Sequence, residues 1–402
     1  MTSHARGSRC ARLCLTALTV VALLAVFAAP AFAVDEIDEV EWTFGLYIAA
    51  DNNLESAWDD INVPALLGIP ASDDVHIVAL VDRLSTDTTE LVEFEGDVAT
   101  VVDTYPEMNF GDPENLQWFV EELAARYPSE HLAVDLWDHG GAWRGICYDD
   151  SSDHDRITMP ELRASIVAAG VPIDILAFDA CNMADMAVAY EVALSELVDI
   201  MVASEEMIPF AGFAYDLMLA PVALEPGRTP EQVATDMVDG WGAYYDGVGG
   251  YTMVCLSAID VREVRAAIPA LTTWVQRMTA GVPLFKHDYK MALVKTWTAL
   301  NSWQYDFITL CDRLAVDPDL KKAEGMKLKT ATVAVADAMR GAVIANHTTR
   351  WTAGATGIAV WWANAADWTS YEALFGANTA FAQPVSAGGA GWYDLLQAYY
   401  AN

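Results

Sequence analysis

From residue 42 onward the chain repeats one pattern: a short run of Val, Ile and Leu, then a longer amphipathic stretch. The apolar runs fall at 43–49, 76–81, 132–137, 173–178, 200–203 and 252–257. Runs that are apolar at successive positions suit strands covered on both faces. Helical patterns lie between them, at 115–127, from Thr158 onward, at 184–197 and at 230–245. Thr158-Met159-Pro160-Glu161 reads as a capping box with proline in the first turn. Strand and helix in alternation predict an α/β fold, a mostly parallel sheet flanked by helices on both faces. Residues 91–104 alternate with acids and fit a hairpin at an edge. After residue 261 the pattern turns to long helical segments up to about 343. One apolar strand at 356–362 and a short helix near 392–399 follow.

The ends of the chain and its charge narrow the setting. Arg6, Arg9 and Arg12 precede an uncharged apolar run at 13–30, and Ala31-Phe32-Ala33 reads as a cleavage site. Residues 1–33 are therefore expected to be a signal peptide. Residues 34–260 are expected to form the main domain and 261–402 a largely helical extension packed on it. The expected location is secreted or periplasmic, with no membrane attachment once the signal is removed. The formal net charge is −35 before the three arginines are lost. Such a surface repels nucleic acid phosphates and anionic lipid, and attracts cations and basic peptides. Cys10 and Cys14 leave with the signal; Cys147, Cys181, Cys255 and Cys311 are too few in so long a chain for a disulfide-built scaffold.

Reactive groups in parallel sheets gather beyond the carboxyl ends of strands. The run at 132–137 leads into Asp138-His139-Gly140-Gly141, and the run at 173–178 into Asp179-Ala180-Cys181-Asn182. Neighbouring strands would put His139 and Cys181 at one edge. A thiolate attacks where a thiol does not, and a helix starting near residue 184 would lower the Cys181 pKa. The imidazole of His139 would assist deprotonation and then protonate a leaving amine. The N–H groups of Gly140 and Cys181 are candidate oxyanion donors. In the stretch from Tyr148 to Arg156, Asp149, Asp150, Asp153 and Asp155 offer carboxylates to a hard cation such as Ca²⁺, although not at EF-hand spacing. No zinc-peptidase H-E-x-x-H, no G-x-S-x-G elbow and no nucleotide-binding loop occurs.

The wording of several segments adds a resemblance. Phe44 to Leu54, ending Asp51-Asn52-Asn53-Leu54, resembles the opening strand and turn of the clostripain family. Asp138-His139-Gly140-Gly141-Ala142-Trp143 resembles its histidine motif, with Ala142 where a third glycine is expected. Asp179-Ala180-Cys181-Asn182-Met183-Ala184 resembles its nucleophile motif. Ser204-Glu205-Glu206 with Gly212 and Tyr215, and later Tyr305-Asp306-Phe307, follow in the family's order. The resemblance covers roughly residues 42 to 310. It implies a caspase-like fold and a cysteine endopeptidase using a Cys/His dyad, Cys181 as nucleophile and His139 as acid/base. It also implies a peptide or protein substrate cut after Arg or Lys, calcium dependence and self-cleavage, with no cofactor needed for the chemistry. By position, Asp179 would floor an acidic S1 pocket, which Glu205, Glu206 or Asp216 would supplement. Arg156, and after it Arg144, are the self-cleavage candidates. The Gln-Ala-Cys-x-Gly signature of caspases is missing. The alternative from another class is a secreted pseudo-enzyme that holds calcium or a partner on its acidic surface.

Overall fold

Strands apolar on both faces need cover on both faces, and the fold of this chain meets that need with one large sheet between two helical layers. A computed structural model describes residues 39–248, 253–300 and 303–401. The expected signal peptide at 1–33 and the first residue of the expected strand at 252–257 lie outside the described residues. In chain order the strands are β1 (Val40–Ala50), β2 (Val75–Arg83), β3 (Thr88–Glu95), β4 (Val98–Pro106), β5 (Ser129–Trp137), β6 (Ile146–Asp149) and β7 (Asp155–Ile157). They continue with β8 (Ile173–Asp179), β9 (Val198–Ala203), β10 (Cys255–Asp260), β11 (Gln304–Asp306), β12 (Val343–Thr348) and β13 (Ala359–Trp361).

The main sheet runs β12-β10-β9-β8-β5-β1-β2-β3-β4. Its centre, from β2 through β1, β5 and β8 to β9, is parallel. The expected α/β architecture is thus present. The expected hairpin is β3–β4, paired antiparallel onto the edge of β2. Pairs β6–β7 and β11–β13 stand apart from the sheet.

The period of two along each strand divides the core. Tyr47, Val78, Val134, Leu136 and Phe178 pack on one face, while Leu46, Ile48, Ala133 and Ala177 pack on the other. Helices Pro113–Arg126, Met159–Ala169 and Met186–Ser195 cover the first face. Tyr215–Leu224 and Pro230–Gly247 cover the second. The capping box forms as read: the Thr158 N–H donates to Glu161 Oε2 at 2.9 Å.

The C-terminal third is not cored separately. Val261–Lys295 buries Val264, Leu271, Trp274 and Met278 in the cluster that holds Phe178. Residues 343–348 also supply β12, an edge strand of the main sheet antiparallel to β10. The sequence pattern predicts no strand there. The segment is only half-buried and continues directly from helix Ala323–Ala342, so neither periodicity nor a break marks it. Among the described residues no helix is long and apolar enough to cross a membrane.

One glycine in β1 decides how closely a helix lies on the sheet. A Cβ at Gly45 would meet Leu123 Cδ1 at 2.1 Å, and Leu123 is itself buried. Gly45→Ala should therefore lower stability by about 1–3 kcal/mol through overpacking, read as a reduced urea midpoint at constant m-value.

Candidate active site

The parallel pairing of β5 with β8 sets Trp137 beside Asp179, so both strands end level. The segments that leave them meet at once. The Asp138 N–H donates to the Asp179 carbonyl at 3.3 Å. A Cβ on Gly140 would lie 2.3 Å from the Cys181 carbonyl oxygen and 2.7 Å from its nitrogen, so only glycine fits there. His139 and Cys181 line one cavity of about 610 Å³, together with Asp179, Glu206, Gly212 and an apolar wall that includes Met207, Phe210 and Leu300.

The Cys181 thiol lies 3.8 Å from the Ile208 carbonyl oxygen. Burial pushes its pKa up, and the carboxylates of Asp179 and Glu206 push the same way. The Ile208 backbone and the Gly140 amide oppose them. The helix-end effect expected from the sequence is not what governs this thiol. The helix starts at Met186, and Asp185 caps it by accepting from the Ala187 N–H at 2.8 Å. That leaves Cys181 in the preceding loop, outside the first turn where the dipole acts.

His139 is held from the turn that follows β1. Its Nε2 is 3.0 Å from Asn53 Oδ1. Burial lowers its pKa against the pull of Asp150, which favours neutral imidazole. Asn52 Nδ2 donates to Asp138 Oδ1 at 2.7 Å, and the Tyr148 N–H donates to Asp138 Oδ2. The Asp51-Asn52-Asn53 turn thus fixes the histidine segment, a role the sequence reading did not give it. Ala142 sits at φ 53°, in the left-handed region that favours glycine, which is where the family pattern carries its third glycine.

Asp179 lies beneath the cavity. Its Oδ2 accepts from the Phe213 N–H at 2.7 Å, while its Oδ1 is buried with no hydrogen-bond partner. Tyr215 donates its hydroxyl to Asp135 Oδ2 at 2.7 Å, and Asp135 Oδ1 accepts the Asp179 N–H. Burial raises Asp179 well above the usual carboxylate range, and Asp135 adds to the rise. Gly212, at φ 64°, leaves room for this carboxylate, since a Cβ there would meet Asp179 Oδ2 at 2.6 Å.

The two glutamates part company. Glu206 faces the cavity and ties down the Leu300 N–H at 2.9 Å. Glu205 does not line the cavity. It is buried against Asp306 and accepts from the Gly357 N–H at 2.7 Å, which makes it a structural tie to the C-terminal segment. Asp216 likewise is not among the lining residues.

The acidic run at 149–155 does not converge as a cation loop. Asp150 pairs with His154, Asp155 accepts from Asn109, and Asp153 is exposed, because the β6–β7 hairpin spreads its side chains outward. Only Asp149 turns inward, where its carboxylate joins those of Asp51, Asp82 and Glu107. Burial and these neighbours push Asp82 up to about 8. Arg156 lies in β7, its Nε donating to the Arg144 carbonyl at 2.9 Å, and the next residue, Ile157, is buried and paired with Ile146.

The clostripain family model matches residues 46–347. The chain belongs to the clostripain family. It is 30% identical to clostripain of Hathewaya histolytica over an alignment covering 48% of this chain and 44% of that protein, so it spans under half the length of that relative. In fold it is similar to a secreted cysteine protease of Bacteroides thetaiotaomicron in complex with an irreversible peptide inhibitor. That likeness has a TM-score of 0.64 at 18% identity and covers 89% of this chain and 99% of that one. An inactive zymogen protease of Parabacteroides distasonis is similar at TM-score 0.60 and 18% identity, over 81% of this chain and 92% of that one. These likenesses extend to the C-terminal part of the chain and agree with the caspase-like architecture.

A thiol raised by burial and by two carboxylates should alkylate slowly. The pH midpoint of Cys181 modification by iodoacetamide should lie above that of a free thiol, and Asp179→Asn should move it downward by removing a negative charge. Peptide mapping of the labelled product checks the site, since Cys147, Cys255 and Cys311 are buried.

Proposed function

We propose that this chain is an endopeptidase that cuts after Arg or Lys through an acyl-thioester at Cys181. The observation that carries the reading is the bare, buried Oδ1 of Asp179 in the cavity shared by Cys181 and His139. A carboxylate oxygen without a partner is costly, and a guanidinium or ammonium from a substrate would satisfy it with a charge-assisted hydrogen bond. The carbon of the substrate carbonyl then lies near Cys181. Attack by the Cys181 thiolate forms the C–S bond and places charge on the carbonyl oxygen, which the N–H groups of Gly140 and Cys181 receive. His139, having taken the thiol proton, returns it to the leaving amine as the C–N bond breaks. It then draws a proton from the water that hydrolyses the thioester. Asn53 steadies the ring through Nε2.

No cofactor enters these steps, and calcium belongs to the reading as a structural ion. The expected signal peptide and the description of a similar protease as secreted support export to the periplasm or medium. Self-cleavage after Arg156 requires the β6–β7 hairpin to open, because the bond lies in a paired strand followed by a buried Ile157.

Fluorogenic peptides with Arg, Lys, Leu or Asp before the reporter test the proposal. Turnover of the Arg and Lys peptides should fall to background in Cys181→Ala. In Asp179→Asn, kcat/KM on basic peptides should fall by roughly 30- to 150-fold, the loss of a buried charged hydrogen bond of about 2–3 kcal/mol. Preference for the Asp peptide, or full activity without the thiol, would overturn it.

A further inference from the structure

Beneath the cavity two buried carboxylates compete for one hydroxyl proton. Tyr215, which opens helix Tyr215–Leu224, sets its hydroxyl 2.7 Å from Asp135 Oδ2 and 3.5 Å from Asp179 Oδ2. A phenol has a single proton to give, and at these distances it goes to Asp135. Asp135 Oδ1 also accepts the Asp179 N–H at 3.1 Å, so both of its oxygens are served. Asp179 Oδ2 has the Phe213 N–H at 2.7 Å, and Oδ1 has no partner. Asp135 is 5% exposed and Asp179 is 4% exposed, and among the described residues no Lys, Arg or His pairs with either.

The surroundings offer little to offset a second charge. A recess beside Asp135 is walled by Phe44 and Leu46 of β1, Ala177 of β8, and Met218, Leu219 and Met237 from the two helices over that face. Tyr215 is the one other titratable group in that lining. Around Asp179 the cavity adds His139, Cys181 and Glu206. Two like charges so placed cannot both stand in an apolar interior. Asp135, with both oxygens bonded, keeps its charge, and the bare Oδ1 of Asp179 is the place for a proton. Burial raises both groups. The Tyr215 hydroxyl and the Asp179 N–H draw Asp135 back, whereas the Asp135 charge drives Asp179 further up.

We propose that Asp135 and Tyr215 make recognition of a basic side chain proton-linked: the empty pocket holds Asp179 as the neutral acid, protonated on Oδ1, and an entering guanidinium or ammonium displaces that proton. The inference rests on the reading of Asp179 as the floor of a basic pocket. In the exchange the Oδ1–H bond breaks, its electron pair stays on the carboxylate and the proton goes to solvent. The substrate cation takes its place with a charge-assisted N–H···O bond. Asp135 does not touch the substrate. It is a positioning residue whose charge sets how tightly Asp179 keeps its proton. A basic ligand should therefore bind more tightly as pH rises, until Asp179 is ionised in the empty pocket as well. Its charge then bears on the Cys181 thiol. A neutral isostere of arginine gains nothing from that rise, because its urea oxygen accepts from the protonated Oδ1.

The test uses the full chain with Cys181→Ala, which stops turnover, and two ligands, acetyl-arginine amide and acetyl-citrulline amide. Calorimetry at about pH 6 in buffers of different ionisation enthalpy counts the protons moved on binding. The arginine ligand should release about one proton per chain, and its affinity should rise roughly tenfold per pH unit between about pH 5 and 6. The citrulline ligand should release none and bind no better as pH rises. In Asp135→Asn, release of protons by the arginine ligand should fall below roughly half a proton, and the pH slope should flatten to match. Circular dichroism and Tm show whether that variant folds, and the proton count of the unaltered pair stands without it. A bound cation would also drive protons from His139, so the release should survive His139→Ala. Arginine binding without proton release, or release that disappears in His139→Ala, would overturn the linkage and leave the basic pocket in place. Undiminished release in folded Asp135→Asn would overturn the role of Asp135. Failure of the arginine ligand to bind at any pH would overturn the basic pocket, and the linkage with it.

Discussion

The backbone of Gly140 rests on the peptide of Cys181 with no room for even a methyl group between them. That contact follows from the in-register pairing of β5 and β8, whose ends release the two segments side by side. The rest of the site is arranged around it. Asn52 and Tyr148 hold Asp138 on the histidine side, and Tyr215 with Asp135 braces the nucleophile side from below. Because each support comes from a different segment of chain, the cavity is a product of the whole sheet and not of a local motif.

Much of the architecture could be read from residues because the central strands are buried on both faces. Runs such as 132–137 and 173–178 announce such strands without tertiary information. β12 could not be read this way. Asn346, His347 and Thr348 are polar residues with no strand pattern of their own, and only the free edge of β10 makes a strand of them. Helix Ala365–Ala377 also escaped, its apolar residues showing no one-sided stripe. A two-residue error had a chemical cost. Starting the helix at 184 put Cys181 in a positive field, whereas the start at Met186 leaves burial and carboxylates to govern the thiol.

At the site, the meeting of His139 and Cys181 was legible because strand ends in a parallel sheet converge, whereas Asp179 was singled out by the family resemblance alone. Glu205 and Glu206 were not separable from sequence: adjacent residues at a strand end point opposite ways, so one faces the cavity and the other anchors Gly357. The acidic run at 149–155 misled for a related reason. Nearness along the chain suggested a common focus, but a hairpin disperses its side chains. The carboxylates that do meet come from four segments spread across about a hundred residues. Asn52 and Asn53 were visible as part of a motif, but their task depends on a contact with residue 139 that no local pattern encodes.

The tie between Glu205 and Gly357 has a bearing on the timing of assembly. The loop carrying Cys181 is stitched to the Ser204–Glu206 loop by Asn182, and that loop is anchored in turn on residues made more than a hundred positions later. At a synthesis rate of about 5–20 residues per second, roughly eight to thirty seconds separate the appearance of Glu205 from that of Gly357. Throughout that interval the nascent chain already holds its thiol and imidazole but lacks the buttress behind them. The loop beside Cys181 therefore gains this support only once Gly357 has been made.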